Sequence, residues 1–321
     1  MKIFDCVPFF NEFEQLRLRI ALLEDLVDHF VVVEAHQTHT GKPKPLYLSA
    51  SGDAALLQHP KLVVRAVDLP VGESHWEREQ YQRDAVGGVL KDLHAGADDL
   101  VLVSDVDEIP TPAAVRRAAA VLSASAQRTI LVFEQRLFYF RLNFEQVWSR
   151  KLPWLGTAAS LYGHTTSVNG LRTTARRIRG RHSQGFDREA LVYRLPDGGW
   201  HFSYLGGDEA FRNKLAAFAH QENREHHSRR VSVQQLVDAR QSPFAREGVA
   251  EVWAVVGHAE VGLPEAAVAR AGVGGLFEAS HDSMAQILHR VRAAAVPRRW
   301  QLGQYDFGFA RRGRWPQLTD D

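Results

Sequence analysis

The sequence is poor in cysteine, has no long apolar run, and its charges cancel. Cys6 is the one cysteine in 321 residues, so no disulfide can form within the chain. That fits a reducing compartment. No apolar run reaches the ~20 residues that a membrane-spanning helix needs. Met1-Lys2-Ile3-Phe4-Asp5 puts an acid where a secretory leader would continue its apolar core. These absences predict a cytoplasmic protein whose membrane contact is at most peripheral. Lys and Arg total 39 against 38 Asp and Glu, a net charge of +1. Such a balance provides no global field to gather nucleic acid or an anionic bilayer. Internal repeats and low-complexity linkers are also lacking, so one domain over residues 1–321 is the expectation. Nothing in the sequence fixes an oligomeric state.

What is present suits a globular enzyme-sized core, with 45% hydrophobic and 24% charged residues. Residues 2–7 read as a first strand and 12–27 as a helix, with Asn11 as its N-cap. Val31-Val32-Val33 reads as a second strand ending near Glu34, and 61–67 as a third. A long helix is expected over 76–93. Strands alternating with helices to about residue 125 predict an α/β fold, with a mostly parallel central sheet flanked by helices. Residues 129–140 read as strand. From 141 to 200 short strands and long loops are expected, with helices again at 209–222, 231–239 and 282–294.

The richest segment is Leu100-Val101-Leu102-Val103-Ser104-Asp105-Val106-Asp107-Glu108-Ile109-Pro110. A buried strand that ends in Asp-x-Asp places hard oxygen ligands at the carboxyl edge of a sheet, where open α/β sheets bind ligands. Crowded carboxylates repel unless a cation neutralises them. Mn²⁺ or Mg²⁺ suits such oxygens and usually holds substrate phosphates too. The plain alternative is a strand end with a capping residue and a solvated acid.

A second motif is Gly198-Gly199-Trp200-His201-Phe202-Ser203-Tyr204-Leu205-Gly206-Gly207-Asp208-Glu209. His201 is either a satisfied core histidine or a ligand set against a substrate. Asp208 and Glu209 lie at a helix start, as caps or as a general base. The helix bearing Arg78, Tyr81, Gln82 and Arg83 is either a salt-bridged surface or part of a site. Lys42 and Lys44, pinned by Pro43 and Pro45, meet phosphate or form an exposed loop. The basic runs 176–182 and 311–315 have two readings. One is a grip on single-stranded nucleic acid, which basic residues among aromatics provide but which the near-zero net charge argues against. The other is a loop gripping a diphosphate or an anionic glycan. Glu222 to Arg230 reads as a solvated helix end.

Taken together, four segments resemble glycosyltransferase family 17. They are Pro8-Phe9-Phe10-Asn11-Glu12, Val33-Glu34-Ala35 with Thr38 to Leu46, Ser104 to Pro110, and Gly199-Trp200-His201-Phe202-Ser203. The resemblance runs over residues 1–225 in order. It implies a GT-A-like fold, a nucleotide-binding half at 1–125, and an acceptor-side half at 126–321 ending in a variable segment. It implies a UDP-sugar donor (UDP-N-acetylglucosamine in the animal members), a glycan acceptor, a divalent cation and inversion at the anomeric carbon. Animal members carry a membrane anchor and stem, so the resemblance here is to a soluble bacterial member.

Carried over, Asp107 is the main metal ligand, Asp105 touches ribose or metal, and His201 is a further metal ligand. Pro8, Asn11, Glu34, Lys42, Arg78 and Arg83 complete the donor-binding set, with Glu34 toward uracil and ribose and Arg83 toward the diphosphate. Glu209 is the expected base, with Asp208 as its alternative. Two other readings compete. One is a phosphohydrolase with a nucleophilic Asp, which normally lies after a first strand rather than past residue 100. The other is a non-catalytic glycan binder using the 7 Trp and 17 Phe as stacking surfaces.

Overall fold

Apolar, β-branched segments build the sheet, and the order in which they pair puts the acidic motif at its middle. The computed structural model describes residues 1–72, 74–149, 152–177, 190–217, 231–245 and 249–295. Strands β1 (Ile3–Phe9), β2 (His29–Ala35), β3 (Leu62–Val67) and β4 (Leu100–Val103) lie parallel in the order β3-β2-β1-β4. Between them run helices α1 (Phe13–Leu23), α2 (Ala54–Leu57), α3 (His75–Asp84) and α4 (Val86–Asp92).

After β4 come β5 (Glu108–Pro110), α5 (Pro112–Ser123), β6 (Thr129–Tyr139), β7 (Phe144–Ser149), β8 (Trp154–Leu161) and α6 (Val168–Arg177). Then follow β9 (Leu191–Ser203), α7 (Gly207–Ala217), α8 (Val233–Asp238), β10 (Glu251–Val255), α9 (His258–Val261), α10 (Glu265–Ala271) and α11 (Met284–Ala295). The sheet continues antiparallel as β4-β8-β6-β7-β10. β9 pairs parallel with β6 and antiparallel with β5.

The expected α/β class holds, and the parallel pairing is concentrated where strands and helices alternate. β4 is buried on both faces, as parallel strands covered by helices are. Leu100 and Leu102 enter the core beside α1 and α5, while Val101 and Val103 enter the core beside α4 and α6. Full burial of each such side chain contributes roughly 1.5–3 kcal/mol, so the acidic motif starts from a firmly packed strand. Thr111 caps α5 by accepting from Ala114 N–H, and Pro112 opens that helix. The motif is therefore clamped on its far side too.

Three local expectations change. The helix expected over 76–93 is two, parted at Ala85, where Gly88 N–H bonds the Ala85 carbonyl three residues back. Gly87 and Gly88 weaken the helix there. Glu12, not Asn11, is the residue before α1, and its carboxylate accepts from the Phe10 and Asn11 N–H groups. The 141–200 stretch holds the expected short strands, β7 and β8, but it also holds α6 and most of a 13-residue strand, β9, where long loops were expected. Among the described residues no helix is long and apolar enough to cross a membrane. The 178–182 part of the first basic run, the 311–315 run, and Glu222 to Arg230 lie outside the described residues.

Candidate active site

Arg19 fixes the turn that carries the acids. It is fully buried on α1 and forms a two-pronged ion pair with Asp5 at 2.5 Å. Its remaining donors reach the Ser104 hydroxyl at 2.7 Å and the Glu108 carbonyl at 2.9 Å. A buried guanidinium is costly unless it is paired and hydrogen-bonded, and here meeting that cost shapes residues 104–108.

Three carboxylates then take three different environments. Glu108 is fully buried. Its Oε1 accepts from Trp154 Nε1 at 2.7 Å and Arg172 Nη2 at 2.5 Å, and its Oε2 accepts from Asp105 N–H at 3.0 Å. Asp105 remains 32% exposed at its side chain, held by Arg83 Nη2 at 3.0 Å and Arg172 Nη2 at 2.9 Å. Asp107 is buried, and its Oδ2 accepts from Lys214 Nζ at 2.7 Å and Ser203 Oγ at 3.0 Å. His201 Nε2 stands 3.4 Å from that oxygen. Burial pushes the Asp107 pKa up, but the Lys214 ammonium and then His201 outweigh it and hold the carboxyl well below its ordinary range.

Strand β9 delivers His201. Its register sets His201 opposite Glu108 and Gly199 opposite Pro110. A Cβ at position 199 would sit 2.1 Å from the Ile109 carbonyl oxygen, and φ there is +139°. Only glycine allows this approach. The His201 ring packs 4.4 Å from that of Trp154, and its Nδ1 is buried without a hydrogen-bond partner. Past the strand, Gly206 at φ +98° turns the chain into α7, which brings Lys214 back to Asp107. Burial disfavours the Lys214 charge, yet Asp107 and then Glu12 raise its pKa well above the usual lysine value. Burial also pushes the Tyr204 phenol up to about 12.

The residues fit a divalent cation in a limited way. Among the described residues no three His, Cys, Asp or Glu side chains form a group that could hold a metal. Of the expected set of Asp105, Asp107 and His201, both Asp105 oxygens accept from arginines, while Asp107 Oδ2 accepts from Lys214 and Ser203 and also faces His201 Nε2. Asp107 Oδ2 and His201 Nε2 lie 3.4 Å apart, near enough to meet one ion. Mg²⁺-type ions commonly take only one or two protein ligands and complete their shell with phosphate and water.

The other expected residues divide. Arg83 is buried against Asp105, Glu79 and Asn169, so it does join the motif. Arg78 instead ties loops together through the Pro70 and His39 carbonyls. Glu34 is fully buried and accepts from Leu48 and Ser49 N–H and from Lys44, which makes it an anchor for the loop after β2. Lys42 is exposed, and Pro8 lies within β1 opposite Val33. Asp208 Oδ1 accepts from Val233 N–H at 2.6 Å, joining α7 to α8. Glu209 is exposed in the first turn of α7. Sequence reasoning missed Arg172, Lys214, Trp154 and Arg19. None sits in a local pattern that separates it from ordinary basic or aromatic residues.

Relatives bear on this arrangement. The sequence model of glycosyltransferase family 17 matches residues 1–241. Over 116 residues the chain is 30% identical to the beta-1,4-mannosyl-glycoprotein 4-beta-N-acetylglucosaminyltransferases of Rattus norvegicus and Homo sapiens. That match spans 34% of this chain and 22% of each relative. Among solved structures, Mycobacterium tuberculosis glucosyl-3-phosphoglycerate synthase with Mn²⁺, uridine-diphosphate and phosphoglyceric acid aligns at TM-score 0.36 and 15% identity. It covers 68% of this chain and 75% of that one. A 4-diphosphocytidyl-2C-methyl-D-erythritol synthase aligns at TM-score 0.33 and 16% identity, covering 55% and 80%. Structural likeness at that level adds nothing to the assignment, which rests on the family match across three quarters of the sequence: the chain belongs to glycosyltransferase family 17.

Proposed function

We propose that this chain moves a sugar from a UDP-sugar to a hydroxyl of a glycan acceptor, with inversion at the anomeric carbon. N-acetylglucosamine is the proposed sugar, supported by what its animal relatives are named for. Residues 1–125 would bind the nucleotide and the rest would face the acceptor, in a GT-A-like arrangement. The observation that carries this reading is the placement of Asp105 and Asp107. They follow a buried parallel strand at its carboxyl end, with Asp107 paired to His201.

Asp107 and His201 would hold Mn²⁺ or Mg²⁺. When bound, the ion supplies Lewis-acid stabilisation of charge that builds on the departing diphosphate. Arg83 and Arg172 hold the partly exposed Asp105 carboxylate in a fixed direction, which suits it to orient the donor. The acceptor oxygen forms its bond to C1 from the face opposite the diphosphate, and the C1–O bond to phosphate breaks. The acceptor proton passes to a base. Glu209 is assigned that role because it is exposed, whereas Asp208 is engaged by Val233 N–H. Positioning and fixed electrostatics supply most of the acceleration.

The test is nucleotide release from UDP-, GDP- and CMP-sugars in MnCl₂, with and without a glycan mixture. Release from UDP-sugars above the GDP and CMP background is expected. No release from any donor contradicts the proposal.

A further inference from the structure

Lys214 sits against the carboxylate assigned above to the cation. Its ammonium lies 2.7 Å from Asp107 Oδ2, the same oxygen that faces His201 Nε2. Two positive ions cannot both sit against one buried carboxylate oxygen without strong repulsion, since the interior screens poorly. A second carboxylate is already within reach. Glu12 Oε1 is 3.3 Å from Lys214 Nζ, and Glu12 is itself fixed by the Phe10 and Asn11 N–H groups. The two carboxylates come from different elements, the turn before α1 and the turn after β4. The lysine is buried on a helix between them. Its four-carbon stem lets the ammonium move between two neighbouring oxygens while the helix stays still.

We propose that Lys214 is a resident counter-ion for the donor site, which neutralises Asp107 in the empty enzyme and is displaced toward Glu12 when a divalent cation and a nucleoside diphosphate bind. The proposal rests on the functional reading above. It makes cation and nucleotide loading cooperative. The cation alone has to displace an ammonium, whereas the cation arriving with a diphosphate brings added negative charge that offsets the displacement. The lysine is a positioning residue in this account, because it acts through Asp107.

The test is Mn²⁺ binding, read by electron paramagnetic resonance of the free ion, on the full chain with saturating UDP. Lys214→Met is expected to bind Mn²⁺ about tenfold more tightly than wild type or better, since a like charge beside the ion has gone. Lys214→Arg, which keeps the charge, stays close to wild type. Unchanged or weaker Mn²⁺ affinity in Lys214→Met overturns the proposal and leaves the glycosyltransferase reading standing. Absence of Mn²⁺ and UDP binding in wild type and variant alike overturns both. If Lys214→Met does not fold, nitrogen-15 NMR of wild-type lysine ammonium groups decides. Lys214 is identified by the signal lost in Lys214→Arg. That signal moves on adding MgCl₂ and UDP if the proposal holds, and an unmoved signal with UDP bound overturns it.

Discussion

Arg172 and Glu108 form a buried ion pair, 2.5 Å between Nη2 and Oε1, and the same guanidinium reaches 2.9 Å to Asp105. One arginine on α6 thus joins the acid that anchors the motif to the acid that faces outward. Burial opposes its charge, but Glu108 and then Asp105 outweigh burial and raise its pKa.

Removing that arginine strands a buried carboxylate. Arg172→Met should destabilise the fold by about 3–5 kcal/mol, the usual cost of breaking a buried pair from one side. Arg172→Lys should recover only part of this, because a lysine lacks the fork that serves Gly156, Asp105 and Glu108 together. Urea unfolding measures both. A loss below about 1 kcal/mol in Arg172→Met, the scale of an exposed pair, would contradict the network as described.

Gly199 is a steric test of how His201 is placed. Gly199→Ala forces the new methyl into the Ile109 carbonyl and keeps an unfavourable φ, so a loss of roughly 1–3 kcal/mol is expected. Gly87→Ala is the control. It has open space around it inside α4 and should stabilise by about 0.5–1 kcal/mol. Thermal unfolding of the two variants should therefore shift in opposite directions.

His39 gives stability a pH dependence of known sign. It is held by Gln82, whose own amide donates to the Val33 carbonyl. Burial lowers its pKa despite that bond. A histidine whose folded pKa lies below the unfolded value of about 6.5 contributes stability above that pH and loses it as pH falls toward the folded pKa. Burial shifts His59 the same way. Wild-type stability should therefore fall as pH drops below neutrality, and His39→Asn should flatten that slope without removing it. Equal slopes in both proteins would sink the assignment.

The two acids opening α7 should separate by function. Glu209→Gln should lower turnover about 10²–10⁴-fold, the range for loss of a general base, with an unchanged melting temperature. Asp208→Asn should instead weaken the tie to Val233 and lower stability, with turnover largely kept. Steady-state rates and melting curves on both variants check this, and a reversed pattern moves the base to Asp208.

Much of the fold was readable because it follows local pattern. Val31-Val32-Val33 and Leu100 to Val103 declare buried strands through β-branched and apolar runs, and Asp105 and Asp107 mark the strand end by charge alone. The helix break at Ala85 was missed because helix-forming residues flank it on both sides, although the Gly87-Gly88 pair that weakens the helix is visible in the sequence. Strand β9 was hidden because Pro196, Asp197 and the Gly198-Gly199 pair read as turn residues. Their place in a strand depends on β5 and β6 lying alongside. The site's cations were illegible for a related reason. Arg19, Arg172 and Lys214 are 14, 67 and 107 positions from their carboxylate partners, and no sequence period reports contacts at such separations. Glu34 shows the reverse case: a strand-end acid that reads as a ligand contact but anchors the loop next to it.

In the proposed reaction Asp107 holds a cation that in turn holds a sugar nucleotide. Titration calorimetry of UDP in MnCl₂, on wild type and a folded Asp107→Asn, tests it most directly. Metal-dependent UDP binding in wild type, weakened about 100-fold or more in the variant, is the predicted result. UDP binding of equal strength and equal Mn²⁺ dependence in both proteins would contradict it.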